Sequence, residues 1–389
     1  MTERLPFQGV AQEIYRPQKA NYDVTLLFPV LFLVGIGIVM IYSSSSALAM
    51  KKFGSDLFFL KKQGAFAIVG IVALVICRHV PYHWYRSLAY PFILISMVLL
   101  AAIHVTPLGY AAGGSARWLR FGDFSFQPSE FARLALVIYL AYSLSKKGET
   151  IREFTIGFLP HVVVFAVFAL LILFEPDFGS MVILGAITWI MLFIGGVRIL
   201  YLSSAVLLLL PAAYLFMMKA QYRLRRLVSF MDPWAYPGDE GYQIIHSLLA
   251  FGSGGIWGVG IGNGYQKLFY LPEPHTDFIF SIVGEELGLV GVLSILGLYG
   301  LIVWRGIRIA KKTVDPFGTY LAAGLTVAIG MQVFVNMGVT LGLLPTKGLA
   351  LPFLSYGGSS LLLNMASIGI LMNIDASPNK LVTVGINGR

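Results

Sequence analysis

Carboxylates stand at unusual positions in an otherwise apolar stretch, HTDFIFSIVGEELGLVGVL, which begins at His275. Asp277 lies at its start, and Glu285 and Glu286 lie within it. A carboxylate beside a hydroxyl can act as a general base, whereas an Asp at a helix start can simply cap free N–H groups. Both interpretations stay open for Asp277. An ideal helix puts Glu285 about 12 Å deeper and about 80° round, so we expect the glutamates to serve interior hydrogen bonding or conformational coupling.

A second polar stretch, ARWLRFGDFSFQPSEFARL, begins at Ala116. Glu130 and Arg133 are three residues apart, so on a helix they share a face and can pair. A structural ion pair is one interpretation, and a polar cavity wall that offers Arg133 to a phosphate is the other. Arg117 and Trp118 could grip a pyrophosphate and stack on a sugar face, since Arg suits multidentate phosphate recognition.

Two short turns complete the set of candidate residues. FEPDFGS places Glu175 and Asp177 between two apolar runs. These carboxylates fit an ordinary capped turn, or they could join Asp277 around a divalent cation such as Mg²⁺ or Mn²⁺. LPTKGLALPFLSYGGSS places Lys347 in a loop bounded by Pro and Gly. Its glycine pair, 357–358, fits either tight helix packing or a broken helix.

Two further motifs support only general interpretations. Three arginines are clustered and predict either a head-group patch or a docking surface: Arg223, Arg225 and Arg226. The glycine-rich run 252–264 lacks the dinucleotide-binding spacing and follows no predicted strand. We expect a flexible loop at the bilayer surface there.

Composition identifies the class of protein that must position these residues. The 389 residues are 57% hydrophobic and only 12% charged, and their mean hydropathy is +0.78, which indicates an integral membrane protein. The single cysteine, Cys77, excludes an intrachain disulfide. The net charge of +9 comes from basic residues between apolar runs. That pattern favours anionic head groups or a phosphate-bearing substrate, and we expect no nucleic acid partner.

The apolar runs predict an all-α polytopic fold in one domain spanning 1–389. About 20 apolar residues cross a bilayer, and about ten segments qualify: 24–43, 63–79, 88–105, 131–145, 158–174, 180–196, 199–218, 277–304, 318–341 and 350–373. The first is longer than the apolar part of a typical signal peptide, so it is read as an anchor. A long loop, 219–276, precedes the eighth segment and is expected to be functional.

The distribution of Lys and Arg predicts the orientation. The short segments on the side of the N-terminus carry more of these residues than the short segments on the other side. We therefore expect both tails, 1–22 and 374–389, to be cytoplasmic. The loop 219–276, His275 and Asp277 would then lie at the outer face.

Seven stretches together resemble the SEDS family (shape, elongation, division and sporulation), typified by RodA, FtsW and SpoVE. They are RWL, FQPSE, EPDFG, YRLRRL, LPEPHTDFIF, EELGLVG and LPTKGLALPFLSYGGSS. The likeness covers nearly the whole chain and is greater to the division branch than to the elongation branch. One departure is Arg133, where many members carry Lys.

The resemblance implies a ten-span peptidoglycan glycosyltransferase in the bacterial cytoplasmic membrane. Such an enzyme polymerises lipid II into a growing glycan strand on the outer face. It acts with a class B penicillin-binding protein and with other divisome or elongasome membrane proteins. The family's essential Asp matches Asp277, its sensitive Trp matches Trp118, and its cavity residues match Glu130, Arg133 and Asp177. His275, Lys347 and Arg117 are further predicted substrate contacts.

Two other functions remain open at this stage. Intramembrane charges such as Glu130 and Arg133 could line the path of a lipid II flippase. The chain could also be a scaffold that recruits and activates a transpeptidase.

Overall fold

The computed structural model describes residues 22–112, 115–122, 124–218, 225, 228–238, 241–268 and 270–377. Residues 1–21 of the predicted N-terminal tail and most of the C-terminal tail lie outside these ranges, as do Arg223 and Arg226. Arg225 is described and is exposed.

Helices dominate the described residues. In chain order they are α1 (Val24–Phe53), α2 (Phe58–His79), α3 (His83–Val105), α4 (Pro128–Lys147), α5 (Leu159–Phe174), α6 (Phe178–Ile194), α7 (Ile199–Met218), α8 (Tyr242–Gly254), α9 (Ile279–Lys312), α10 (Pro316–Thr340) and α11 (Gly358–Ala376). A π-helical turn, Phe154–Phe158, leads into α5.

Each of the ten predicted segments coincides with one of these helices, so the polytopic membrane fold is confirmed. Seven helical stretches in the described residues are long and apolar enough to cross a bilayer. α6 and the first part of α7 are shorter apolar helices. α4 differs because it is buried along most of its length, from Pro128 to Leu144. A helix surrounded by other helices can carry the charged pair Glu130 and Arg133 without exposing it to lipid.

A small antiparallel sheet lies between α3 and α4, and the all-α prediction did not include it. Its strands are β1 (Gly109–Ala112), β2 (Ser115–Phe121) and β3 (Phe124–Phe126), in that spatial order. Tyr110 pairs with Trp118, and Leu119 pairs with Phe126. The sheet carries Arg117 on its central strand.

α9 is interrupted at Gly288, whose φ of 64° is not helical. The interruption leaves backbone groups without helical partners, and the glycine-rich segment satisfies them. Val259 N donates to Glu285 O (3.0 Å), and Leu289 N donates to Gly255 O (2.9 Å). A Cβ on Gly258 would lie 2.2 Å from Glu286 O, so the glycine is needed for this close approach. The prediction of a loop at the bilayer surface did not include this bonding of the segment to α9.

Polar contacts connect the helices at the end of the bundle opposite Asp277. Arg305 of α9 binds Asp23, the N-cap of α1, with Nε–Oδ2 at 2.5 Å. It also binds Asp375 of α11, with Nη2–Oδ2 at 3.0 Å. At the other end of α11, a Cβ on Gly358 would lie 2.6 Å from the ring of Phe66 on α2. This contact favours the tight-packing interpretation of that glycine.

Candidate active site

Asp277 lies in the turn before α9 and is half-buried. The N-cap of α9 is Phe278, and no side chain caps the helix, so the capping interpretation of Asp277 is wrong. Asn336 on α10 holds the turn in place. Its Nδ2 donates to Asp277 O (3.0 Å) and to Leu349 O (2.5 Å). Asp277 is therefore held in place through its backbone carbonyl, and its carboxylate does not cap the helix.

The loop between α10 and α11 brings two of the predicted stretches together. A Cβ on Gly348 would lie only 2.9 Å from Asp277 Oδ2. A Cβ on Gly179 would lie 3.2 Å from Lys347 Cδ and 3.5 Å from Asp177 Oδ1. Lys347 and Gly348 thus pass between the turn of Asp277 and the turn of Asp177. Because Gly179 and Gly348 have no side chains, the two turns and the Lys347 loop can lie this close together.

Arg117 on β2 reaches the same place from the sheet. Its Nη2 donates to Pro176 O (2.9 Å), and its Nη1 lies 3.8 Å from Asp177 Oδ1. The Nε of Arg117 is buried without a hydrogen-bond partner among the described residues. Lys347 Nζ lies 4.3 Å from the centre of the Phe178 ring. Two cations and two carboxylates therefore meet at one end of the bundle.

The electrostatic environment of Asp277 suits a base. Burial raises the pKa of Asp277 to about 7, the negative charges of Glu273 and Asp177 raise it, and Arg117 lowers it. A carboxyl with that pKa is ionised in a substantial fraction of molecules at neutral pH. It also binds a proton more strongly than an ordinary Asp does.

Asp177 and Glu175 share a turn but have different environments. Asp177 caps α6 by accepting from Ser180 N (3.2 Å) and Ser180 Oγ (2.6 Å). Glu175 is fully buried, and neither carboxyl oxygen has a hydrogen-bond partner among the described residues. Burial and the charge of Asp177 raise the pKa of Glu175 to about 9, while Arg117 lowers it. Glu175 is therefore neutral at pH 7.

The predicted carboxylate trio does not form a metal-holding group. In the part of the chain that the structure describes, no three His, Cys, Asp or Glu side chains are arranged to hold an ion. Binding of a divalent cation stays a prediction. Mg²⁺ commonly binds one or two carboxylates plus phosphate oxygens, so Asp177 could hold such an ion together with the phosphates of the substrate.

His275 and Trp118 flank this cluster. The His275 ring is buried and packs on Phe59 and Tyr356, at centroid distances of 4.5 and 5.6 Å. Burial lowers the pKa of His275 to about 4, and Lys52 lowers it too, so the ring is neutral at pH 7. Trp118 is half-buried on β2. Adjacent strand residues face opposite sides, so Trp118 points away from the side that Arg117 uses.

The predicted pair of Glu130 and Arg133 is confirmed. Both are buried, and Arg133 binds Glu130 through both Nη atoms, with one distance of 3.3 Å. They line a small cavity together with Asn364 and Ser367. The ion pair and the cavity wall were offered as alternatives, and both are present. Within the described ranges, Arg133 makes no hydrogen bond or ion pair with Asp277.

Buried amides connect the two places, and the sequence analysis missed them. On α10, Gln332 and Asn336 are one turn apart. Gln332 donates to Ala350 O (3.0 Å), and Asn364 donates to Gln332 Oε1 (3.4 Å). Amides inside an apolar segment are costly unless they are bonded. Their occurrence in an otherwise apolar run is the signal that could have identified them.

The two glutamates of α9 make interior hydrogen bonds, as expected. Glu285 Oε1 accepts from Tyr265 N (2.7 Å) and Gln266 N (3.2 Å). Glu286 pairs with Lys267 (Nζ–Oε1 2.6 Å) and accepts from Ser43 Oγ on α1 (2.7 Å).

Comparison with known proteins places this geometry in context. Residues 24–380 match the cell cycle protein family of FtsW, RodA and SpoVE. The chain is 47% identical over 354 residues to the probable peptidoglycan glycosyltransferase FtsW of Geobacter metallireducens, a match that covers 91% of this chain and 94% of that protein. It is 41% identical over 358 residues to the stage V sporulation protein E of Bacillus subtilis, with coverages of 92% and 98%.

Solved structures share the fold. A chain from a peptidoglycan synthase complex that coordinates polymerization and crosslinking superimposes with a TM-score of 0.75 at 28% identity, covering 91% of this chain and 97% of that one. The rod shape determining protein RodA of Thermus thermophilus gives a TM-score of 0.67 at 27% identity, with coverages of 91% and 96%.

Proposed function

The chain belongs to the FtsW, RodA and SpoVE family and is a peptidoglycan glycosyltransferase, and we propose that it polymerises lipid II with Asp277 as the general base. The observation that carries this proposal is the convergence of Asp277 and Lys347 from two loops with Arg117 from strand β2. A proton acceptor is thereby placed beside two cations, the combination that transfer of a sugar from a pyrophosphate requires.

Asp277 would remove the proton from a hydroxyl of the acceptor sugar. The hydroxyl oxygen forms a bond to the anomeric carbon of the donor, and the bond from that carbon to the pyrophosphate oxygen breaks. The pyrophosphate leaves with the electron pair, still attached to its polyprenyl chain. Asp277 keeps the proton until it exchanges with solvent. General-base help of this kind is typically worth about 10²–10⁴-fold in rate.

Arg117 and Lys347 would stabilise the charge that develops on the leaving pyrophosphate. The buried Nε of Arg117, which lacks a partner among the described residues, supplies a donor suited to a phosphate oxygen. Preorganised donors act best where charge appears in the transition state. Arg133 is paired with Glu130, so we assign this role to the other two cations.

A divalent cation, Mg²⁺ or Mn²⁺, would supply additional charge neutralisation at the pyrophosphate when it is bound. Asp177 is the carboxylate best suited to share such an ion with the substrate, because it lies beside Arg117 and Lys347 and belongs to the same turn that faces Asp277. His275 is proposed to shape a wall of the site, whereas Trp118 is available to a sugar only on the opposite face of the sheet.

The setting proposed for this reaction is the outer face of the bacterial cytoplasmic membrane during septal synthesis. Both termini would be cytoplasmic, in line with the distribution of Lys and Arg. A class B penicillin-binding protein is the proposed partner, and other divisome proteins would join them. Similarity to a chain of a peptidoglycan synthase complex supports such an assembly. An elongation role is the alternative.

A flippase is the rival activity, because Glu130 and Arg133 line a polar cavity between membrane helices. The test uses purified protein in liposomes with lipid II and Mg²⁺ or Mn²⁺. Glycan strands in the product support the glycosyltransferase mechanism. Movement of lipid II between leaflets without any glycan product would overturn it.

A further inference from the structure

The segment at residues 255–261, here called the anchor loop, is bonded to α9 through several of its backbone groups and has exposed apolar side chains. In addition to the hydrogen bonds at Val259 and Gly255, Gly260 N donates to Glu286 O (3.1 Å) and Val290 N donates to Ile256 O (3.2 Å). Trp257 is 80% exposed, and Ile256 and Ile261 are 60% and 57% exposed. Non-helical backbone can approach lipid only where its polar groups are bonded within the protein. The bonds to α9 meet that condition for part of the loop, and a place at the interface leaves the remaining groups open to water.

Charged residues mark one boundary of the membrane. Arg305, Asp23 and Asp375 meet at one level, where α1 begins and α9 and α11 approach their ends. Charged groups on membrane helices lie outside the hydrocarbon region unless they are enclosed by protein. Lys311 and Lys312 follow at the end of α9, which supports the same assignment.

A second polar level lies about one bilayer thickness away. Ser43 follows Asp23 by about 20 residues on α1, which is about 30 Å of helix. The continuous part of α9 from Leu289 to Arg305 is about 24 Å long, and Glu286 lies just outside the break at its outer end. Ser43 and Glu286 are hydrogen-bonded to each other at 2.7 Å, so the two helices give the same level. The hydrocarbon core of a bilayer is about 30 Å thick, so this level marks the other boundary.

We propose that the anchor loop lies in the membrane interface at this second boundary and fixes the height of Asp277 above it. The loop is bonded to α9 from Glu285 to Val290, directly at that level. Trp is typical of membrane interfaces. The exposed apolar surface of the loop continues into Leu289 and Leu293, which are 50% and 56% exposed on the lipid side of α9. This continuity identifies lipid as the occupant.

The distance of Asp277 from the hydrocarbon boundary follows from the same helical rise per residue. α9 begins seven residues outside Glu286, so the turn of Asp277 lies about 10 Å beyond the hydrocarbon boundary. The head-group zone is about 5–7 Å deep. If the proposed function holds, this is the height of a sugar that one pyrophosphate separates from its lipid chain. The anchor loop would then hold the base level with the reacting sugar.

Lipids brominated at shallow or deep acyl positions test the location of Trp257 in liposomes. The full chain is compared with Trp257→Phe, and the difference reports the fluorescence of Trp257 alone. Comparison of the full chain with Trp304→Phe gives the fluorescence of Trp304 in the same way. Trp304 is the control because it lies next to Arg305, at the other boundary, and is 44% exposed. We expect shallow bromines to quench Trp257 as they quench Trp304, with weak quenching by aqueous iodide. Strong iodide quenching without bromine quenching would overturn the proposal, and a surface reserved for a partner protein would give that result.

The rate of lipid II polymerisation tests whether the anchor loop sets the height of Asp277 above the membrane. Trp257→Asp should lower lipid II polymerisation in bilayers while Trp257→Phe retains it, and both proteins should melt at the temperature of the unmodified chain in detergent. An unchanged rate for Trp257→Asp in bilayers contradicts the fixing of height. Failure of the proposed function is distinguishable, because full activity of Asp277→Ala would leave the bromine quenching of Trp257 unaffected.

Discussion

Asp277 combines two properties that a general base at neutral pH needs. Its carboxylate stands in a protein environment that raises the pKa to about 7, and Arg117 opposes that rise. A base with a pKa near the working pH is ionised often enough to act and still holds the proton firmly. Asn336 holds Asp277 by its backbone oxygen and does not use the carboxylate, which can therefore serve as the base.

The pH dependence of polymerisation follows from this pKa. Below about 7 the carboxyl is protonated and cannot accept a proton, and above about 7 it is ionised. We expect kcat/KM to rise about tenfold per pH unit at acidic pH and to level off above about pH 7. The measurement is the rate of lipid II consumption across the pH range. A flat profile between pH 5 and 8 would contradict the assignment.

The neighbours of Asp277 should move this midpoint in opposite directions. Glu273→Gln removes a negative charge and should shift the midpoint to lower pH, whereas Arg117→Ala removes a positive charge and should shift it to higher pH. The Glu273 side chain is 60% exposed, so its shift should shrink at high salt. Arg117→Ala should also raise KM because it removes a donor for pyrophosphate. Identical midpoints in both variants would exclude the proposed electrostatics.

At the scale of elements, the break in α9 is the feature most sensitive to small changes. Gly288 has a φ of 64°, and a Cβ there would lie 2.3 Å from Gly258 N. We expect Gly288→Ala to lower the free energy of unfolding by about 1–3 kcal/mol, measured by thermal unfolding in detergent. Gly297→Ala is the matched control on the same helix, since a Cβ there meets nothing within 4 Å. Equal melting temperatures for the two variants would refute the role of the break.

We expect strong coupling between Glu130 and Arg133 on α4 in their contributions to the free energy of unfolding. Glu130→Gln or Arg133→Met leaves one buried charge without its partner, at a cost of about 3–5 kcal/mol. The double variant should cost less than the sum of the single variants. Arg133→Lys keeps the charge and should retain most of the stability. A double-mutant cycle measured by unfolding tests this, and additive effects would show that the pair is not coupled.

The elements differ in how far the sequence predicts them. Long apolar runs identify the membrane helices because hydropathy depends only on composition. The three short strands and the break at Gly288 depend on partners distant in the chain, such as the backbone of Gly255, and local patterns do not reveal these. The i, i+3 spacing predicted the pair of Glu130 and Arg133, because a single helix determines that contact.

At the scale of the whole molecule, the candidate site was predicted as residue types but not as an arrangement. Asp277, Asp177, Arg117 and Lys347 were each identified from their local stretch. Their convergence depends on how α6, α9, α10 and the sheet pack, and spacing along the chain does not encode that. Glu130 and Arg133 line a cavity whose walls do not include Asp277, and a shared substrate site for all three residues stays a prediction.

Assembly with a transpeptidase is the prediction that belongs to the whole molecule. We expect a class B penicillin-binding protein to raise the polymerisation rate of the reconstituted chain without changing the pH midpoint, because Asp277 remains the base. The measurement compares rates with and without the partner. A shifted midpoint in the complex would mean that the partner alters the catalytic group itself.

The most direct test of the central claim is polymerisation of lipid II by Asp277→Ala in proteoliposomes. Glu149→Gln provides a control carboxylate, which is exposed and remote in sequence from the site. The account predicts that Asp277→Ala inserts, melts at an unchanged temperature and makes no glycan strands, while Glu149→Gln polymerises at the rate of the unmodified chain. Glycan strands formed by Asp277→Ala at that same rate would contradict the account.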